Sequence, residues 1–260
     1  MKMKHLALAA TLGLTLSLTA PLSQAALTNA GSSVTNLQFQ VTDLTPGDAQ
    51  AGGITVKYRQ TAYEVEAGFA TFKDYSDFRA VSDSRTDLDR KAWISTGDFG
   101  DLRARAESSN IPPPYMPTDA RANIWQSMTF WLLPHSAISL SGHAAGFAQR
   151  DAGVENGQGL ARTAASLSRL GSDHAELGYF SKNVSLDALT SQAGYSGDFL
   201  FEYANNSDDA QYLFWNIYTT SQAWIFTPDP IPSVPEPEGY AMLGAGLMFL
   251  GLMARRRKPG

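Results

Sequence analysis

The residues between the two ends of this chain predict an all-β fold, an antiparallel β-sandwich of jelly-roll-like type. Three observations lead there. Short runs alternate apolar and polar side chains with a period of two, clusters of Gly, Pro, Asn and Asp separate the runs, and sustained 3.6-residue periodicity is rare. Many strands punctuated by turns, without alternating helices, favour stacked antiparallel sheets over a parallel α/β architecture.

The first 25 residues read as a signal peptide. Lys2 and Lys4 form a basic n-region, Leu6 to Leu18 an apolar h-region, and Ser23-Gln24-Ala25 a small-residue cleavage site, so signal peptidase is expected to cut after Ala25. A retained anchor is disfavoured because the apolar run falls short of the roughly 20 residues a spanning helix needs.

Residues 26–226 form the expected sandwich body. Leu37, Phe39 and Val41 alternate with Gln38, Gln40 and Thr42, the turn-forming run Asp43 to Asp48 follows, and Ile54 and Val56 resume the alternation. Tyr63, Val65, Ala67 and Phe69 then define one face, with Glu64 and Glu66 on the other. Between Lys73 and Asn123 the chain turns to charge, Gly and Pro, and its strands are hard to place. Strands are expected again at Ile124 to Leu133 and Ala137 to Leu140, joined through Pro134-His135. Ala161 to Leu170 fits both periods and is read as a strand. Phe199, Phe201 and Tyr203 share a face, Asn205 to Asp209 makes a reversal, and Tyr212 to Ile225 returns as an aromatic strand.

Beyond Phe226 the order of parts is spacer, apolar run and positive charge. Prolines 228, 230, 232, 235 and 237 predict an extended spacer over 227–238. Residues 239–254 contain no charged side chain and are expected to form a single transmembrane helix. It would extend roughly 24 Å at about 1.5 Å per residue, marginal against a hydrocarbon core of about 30 Å. Arg255, Arg256, Arg257 and Lys258 lie in the tail 255–260 and hold it on the cytoplasmic side, leaving the body outside.

Removing the six basic and two acidic residues of the two ends leaves fourteen basic and twenty-three acidic ones, a body near −9. That charge argues against nucleic acid or anionic lipid as partners, which need clustered cations. The absence of cysteine excludes disulfides and thiolate metal sites, so stability must come from the core.

Val234-Pro235-Glu236-Pro237, followed by Tyr240-Ala241-Met242-Leu243 and the four terminal cations, resembles the PEP-CTERM sorting domain of Gram-negative bacteria. The resemblance implies recognition by a membrane-embedded exosortase with a cysteine protease-like centre. It further implies cleavage near the motif after transient residence in the inner membrane, then release to the cell surface or extracellular matrix. More loosely, Val41 to Asp48 and Met128 to Ile138 resemble the strand and turn motifs of a β-rich group of PEP-CTERM proteins, which would associate with exopolysaccharide in a biofilm.

Candidate chemistry in the body is sparse. His135, His143 and His174 show no metal-binding spacing, and His135 is read as a turn residue. No cofactor is expected. Calcium stays open at Asp83, Asp87, Asp89, Asp98 and Asp101, and at Asn205, Asn206, Asp208 and Asp209, although turn chemistry explains both groups. Glu64, Glu66 and Glu202 are conceivable glycosidase carboxylates better explained as solvated strand positions, and no Gly-x-Ser-x-Gly elbow occurs. The aromatics are more informative. Trp125, Trp131, Trp215 and Trp224 are the candidate glycan-facing residues, because adjacent Phe214 and Trp215 must look to opposite sides of a regular strand. The resulting expectation is a noncatalytic surface protein that associates with exopolysaccharide. The alternatives are a secreted carbohydrate-active enzyme and a self-associating coat protein.

Overall fold

A computed structural model describes residues 27–47, 52–87, 89–109, 118–152, 154, 156–171, 174–186 and 189–225. The expected signal peptide with Ala25, the spacer, the sorting motif, the spanning helix and the basic tail lie outside the described residues. Among the described residues no helix is long and apolar enough to cross a membrane.

Twelve strands make up the body: β1 (Thr28–Asp43), β2 (Ile54–Ala67), β3 (Phe69–Tyr75), β4 (Val81–Asp87), β5 (Arg90–Thr96), β6 (Arg103–Ser108), β7 (Thr118–Leu132), β8 (Ser136–Arg150), β9 (Gly157–Arg169), β10 (Glu176–Ser185), β11 (Gln192–Asn205) and β12 (Gln211–Ile225). They form two six-stranded antiparallel sheets, ordered β11-β8-β1-β6-β5-β4 and β10-β9-β12-β7-β2-β3. The two inner faces share one apolar core, with Trp215, Tyr63, Phe130, Ile124, Leu140 and Leu213 among its largest fully buried side chains. Alternation is sharpest in β12, where every second residue from Leu213 to Ile225 is buried and those between are half-exposed.

Several expectations need correction. The charged stretch from Lys73 to Asn123 holds three complete strands, β4 to β6, and the start of β7. Their buried positions are filled by Ala92, Ile94, Ala104 and Ala106, and alanine carries too little apolar contrast to mark a strand. Phe69 does not continue the buried face of β2. Gly68 turns the chain there with φ of +81°, and Phe69 starts β3 at 88 % exposure. The reversal at Asn205 to Asp209 is real, but β11 and β12 belong to different sheets and do not pair. Buried Asn205 ties that crossover down, its Nδ2 donating to the carbonyls of Leu132, Leu133 and Asp209 at 2.9 to 3.2 Å. The turn at His135 is present, with φ of +53°, and likewise crosses between sheets.

Polar ties also cross the core. The Tyr195 hydroxyl lies 2.8 Å from Thr163 Oγ1 of the opposite sheet, Ser32 and Ser221 hydroxyls meet at 2.8 Å, and Gln126 Oε1 accepts from the Gly100 N–H at 2.9 Å. Burial pushes the Tyr195 hydroxyl from 10.0 up to about 12, the Thr163 bond opposing it. Tyr63 is raised further, by burial and then by its bond to Asp83. An acid that keeps its proton longer when folded contributes stability in full below its unfolded pKa and loses it as pH rises through the folded value. Urea unfolding is therefore expected to show a loss of stability from pH 10 toward pH 12, and Tyr195→Phe should make that loss shallower. An unchanged slope would count against a buried Tyr195.

Candidate functional site

The antiparallel register decides which side chains share the outer faces. On the second sheet, Phe214, Thr129 and Tyr58 lie in one row across β12, β7 and β2; Asn216, Ser127 and Gln60 form the next row, and Tyr218 stands beside Trp125 in the one after. Thr220 and Asn123 follow. Successive rows along a strand are about 6 to 7 Å apart, since alternate residues face the same side. All of these but Thr129 line an open groove of about 470 Å³ in which aromatic rings flank a polar middle row.

The groove's polar groups hold one another in place. Ser127 donates to Gln60 Oε1 at 3.2 Å, Gln60 Nε2 donates to Asp74 at 2.8 Å, and Asn123 Nδ2 donates to Glu64 at 2.8 Å while its Oδ1 accepts from Thr220. The Asn216 amide has no side-chain partner among the described residues, which leaves a donor and an acceptor free in the polar row. Trp125 is backed by Phe72 of β3 at 5.8 Å between ring centres, and Phe72 is itself 60 % exposed. The Arg162 guanidinium sits 5.5 Å from the Tyr218 ring, and burial raises the Tyr218 pKa against that cation, keeping the hydroxyl a neutral donor.

Of the four tryptophans singled out in the sequence, the structure brings Trp125 into this groove. Trp131 extends the same face, stacked on Tyr212 at 4.8 Å, and Trp224 faces outward near the far end of β12, paired with Asp119. Trp215 faces the core at 0 % exposure and is no glycan-facing residue. The alternation argument was sound, but it required only one of Phe214 and Trp215 to look outward, and Phe214 is the one that does. Tyr58 was missed because a register shift between Val56 and Tyr58 breaks the sequence alternation at that point.

The other candidates disperse. Asp83 accepts from the Tyr63 hydroxyl at 2.8 Å and lies 3.8 Å from Lys73; Asp87 and Asp89 approach Arg90; Asp98 accepts from the Ala80 N–H. Burial pushes Asp83 up, but the Tyr63 bond, the Ser84 N–H and Lys73 outweigh it and hold the carboxyl below its usual range. Among the described residues no three His, Asp or Glu side chains converge as metal ligands. Glu64 is taken by Asn123, and Glu66 lies 4.0 Å from Arg121.

One arrangement was not anticipated. His143 Nδ1 lies 2.6 Å from Asp198 Oδ1, and its Nε2 lies 3.0 Å from Ser196 Oγ. The order is that of a catalytic triad, yet the Asp198 side chain is 86 % exposed on an edge strand. Water competes for each bond there, so the trio lacks the desolvated carboxylate that orients the imidazole in such enzymes.

Compared with models of known families, residues 233–258 match the PEP-CTERM protein-sorting motif. That span includes Val234 to Pro237 and Arg255 to Lys258, the residues on which the sequence resemblance rests. No curated protein matches the chain.

Proposed function

We propose that this chain, which its PEP-CTERM sorting motif marks as an exported protein processed by exosortase at the membrane and delivered to the cell surface, works there as a noncatalytic, exopolysaccharide-binding protein of the biofilm matrix. The groove on the second sheet carries the reading. Sugar rings present apolar C–H faces edged by hydroxyls, and this groove offers the complement: the rings of Tyr58, Trp125, Phe214 and Tyr218 around the amides of Gln60, Asn123 and Asn216. An open channel with no carboxylate among the described residues that line it suits holding a chain rather than cutting it. The body's negative charge fits a ligand recognised by stacking and neutral hydrogen bonds.

Retention of the full chain on exopolysaccharide from its own source tests this. Trp125→Ala and Tyr218→Ala are each expected to weaken retention about tenfold, the scale of roughly 1–2 kcal/mol for a lost aromatic contact. Folding, followed by near-ultraviolet circular dichroism, should persist. Retention equal to wild type in the double variant, or release of reducing ends from the polysaccharide, would end this reading.

A further inference from the structure

The outer face of the first sheet carries a different arrangement. Register aligns Trp93 of β5, Arg105 of β6, Gly31 of β1 and Phe147 of β8 in one row, with Ser95, Arg103, Ser33 and Ala145 in the next. Trp93 and Phe147, with Arg105 between them, edge a cleft of about 510 Å³ whose floor includes the small residues Ser33, Thr35 and Ala145. Gly31 lets the Phe147 ring come close over β1: a Cβ there would come within 2.5 Å of that ring.

The cleft is cationic on an otherwise acidic body. Arg105 projects between the two walls, its guanidinium carbon 5.0 Å from the Trp93 ring and 5.5 Å from that of Phe147, and Lys91 approaches Trp93 at 5.0 Å. Glu107 takes Arg105 Nη2 at 3.1 Å, while Arg105 Nε has no partner. Arg103, two residues along the same strand and exposed, has no carboxylate partner among the described residues. Three cations thus face one carboxylate.

We infer that this cleft is a second saccharide site, on the opposite face of the sandwich from the first, and that it takes a sugar ring bearing a carboxylate. The open space over Ser33 and Ala145, edged by Trp93 and Phe147, takes a single ring, and Arg103 and the Arg105 guanidinium donate charge-assisted hydrogen bonds to its acid group. A long polyanion lying on the surface fits less well. Its charge would extend past three cations onto a body near −9, whereas one acidic ring meets only the local cations within about 8 Å of screening length at physiological salt. With sites on both outer faces, one molecule joins two polysaccharide chains.

The probe is tetragalacturonate, titrated calorimetrically into the full chain in a nonionic detergent, beside its fully methyl-esterified form, which keeps the rings and loses the charge. The acid is expected to bind at least about tenfold tighter than the ester, and Arg103→Gln and Arg105→Gln each to weaken it by about tenfold. Trp125→Ala should leave it unchanged, separating this site from the groove on the second sheet. Because Arg105 is packed between rings, its variant is compared at a matching unfolding midpoint; Arg103, which is exposed, carries the test regardless. Equal affinity for acid and ester, binding untouched by Arg103→Gln, no binding of the acid, or equal binding of a single-stranded oligonucleotide of the same charge would each overturn the inference.

Discussion

Trp215→Ala is expected to cost about 3–5 kcal/mol of stability, the range for deleting a fully buried aromatic side chain, and so to remove much of what a domain of this size has. The residue is 0 % exposed on β12, a central strand of its sheet. Its indole meets Phe99 at 5.3 Å and Phe78 edge-on at 6.0 Å, rings supplied by the loops after β5 and after β3. Alanine would leave a void bounded by strands on both sheets that cannot collapse without breaking ladder bonds. Trp215 Nε1 has no hydrogen-bond partner, so its contribution is packing, and Trp215→Phe should cost far less than the alanine variant. Urea unfolding of the full chain, followed by far-ultraviolet circular dichroism, measures both. A Trp215→Ala cost as small as that of outward-facing Trp131→Ala would contradict the core placement.

That contrast also shows what was legible in the sequence. Alternation revealed β2, β7 and β12, because Val, Ile, Leu and aromatic residues there face a core on one side and polar residues face water on the other. It was weak across β5 and β6, where Ala92, Ala104 and Ala106 take buried positions and Lys91, Arg103 and Arg105 outward ones, so the strands there were hard to place. Trp93, Arg105 and the cationic cleft were lost with those strands. Which strand lies beside which was equally hidden: Ser196 and Asp198 meet His143 only because β11 pairs with β8 across about fifty residues of chain. The outward tryptophans could be narrowed to a set, but a period of two gives the two faces of a strand without saying which one is wet. The sorting tail needed no tertiary information at all, since its signal is the linear order of spacer, apolar run and cations, and it was fully legible.

Replacing Pro235-Glu236-Pro237 with three alanines is expected to abolish delivery, leaving the chain in the inner membrane with its tail attached. Proline fixes φ near −65° and carries no backbone donor, neither of which alanine reproduces, and Glu236 supplies the motif's charge. Alanine, the best helix former, restores the backbone donors and removes the charge, so the variant loses each chemical feature of the motif. Fractionation with an antibody to the body measures it: the variant should move from the surface fraction to the membrane fraction at the larger, unprocessed mass. Polysaccharide binding by the retained protein, solubilised in detergent, should equal that of wild type, because the described residues that line the groove fall between Tyr58 and Thr220. Surface delivery of the alanine variant at wild-type level would show that the motif is not what the sorting machinery reads. Loss of binding along with loss of delivery would mean that the sandwich and its tail are not independent, and that the groove had been assigned to the wrong part of the molecule.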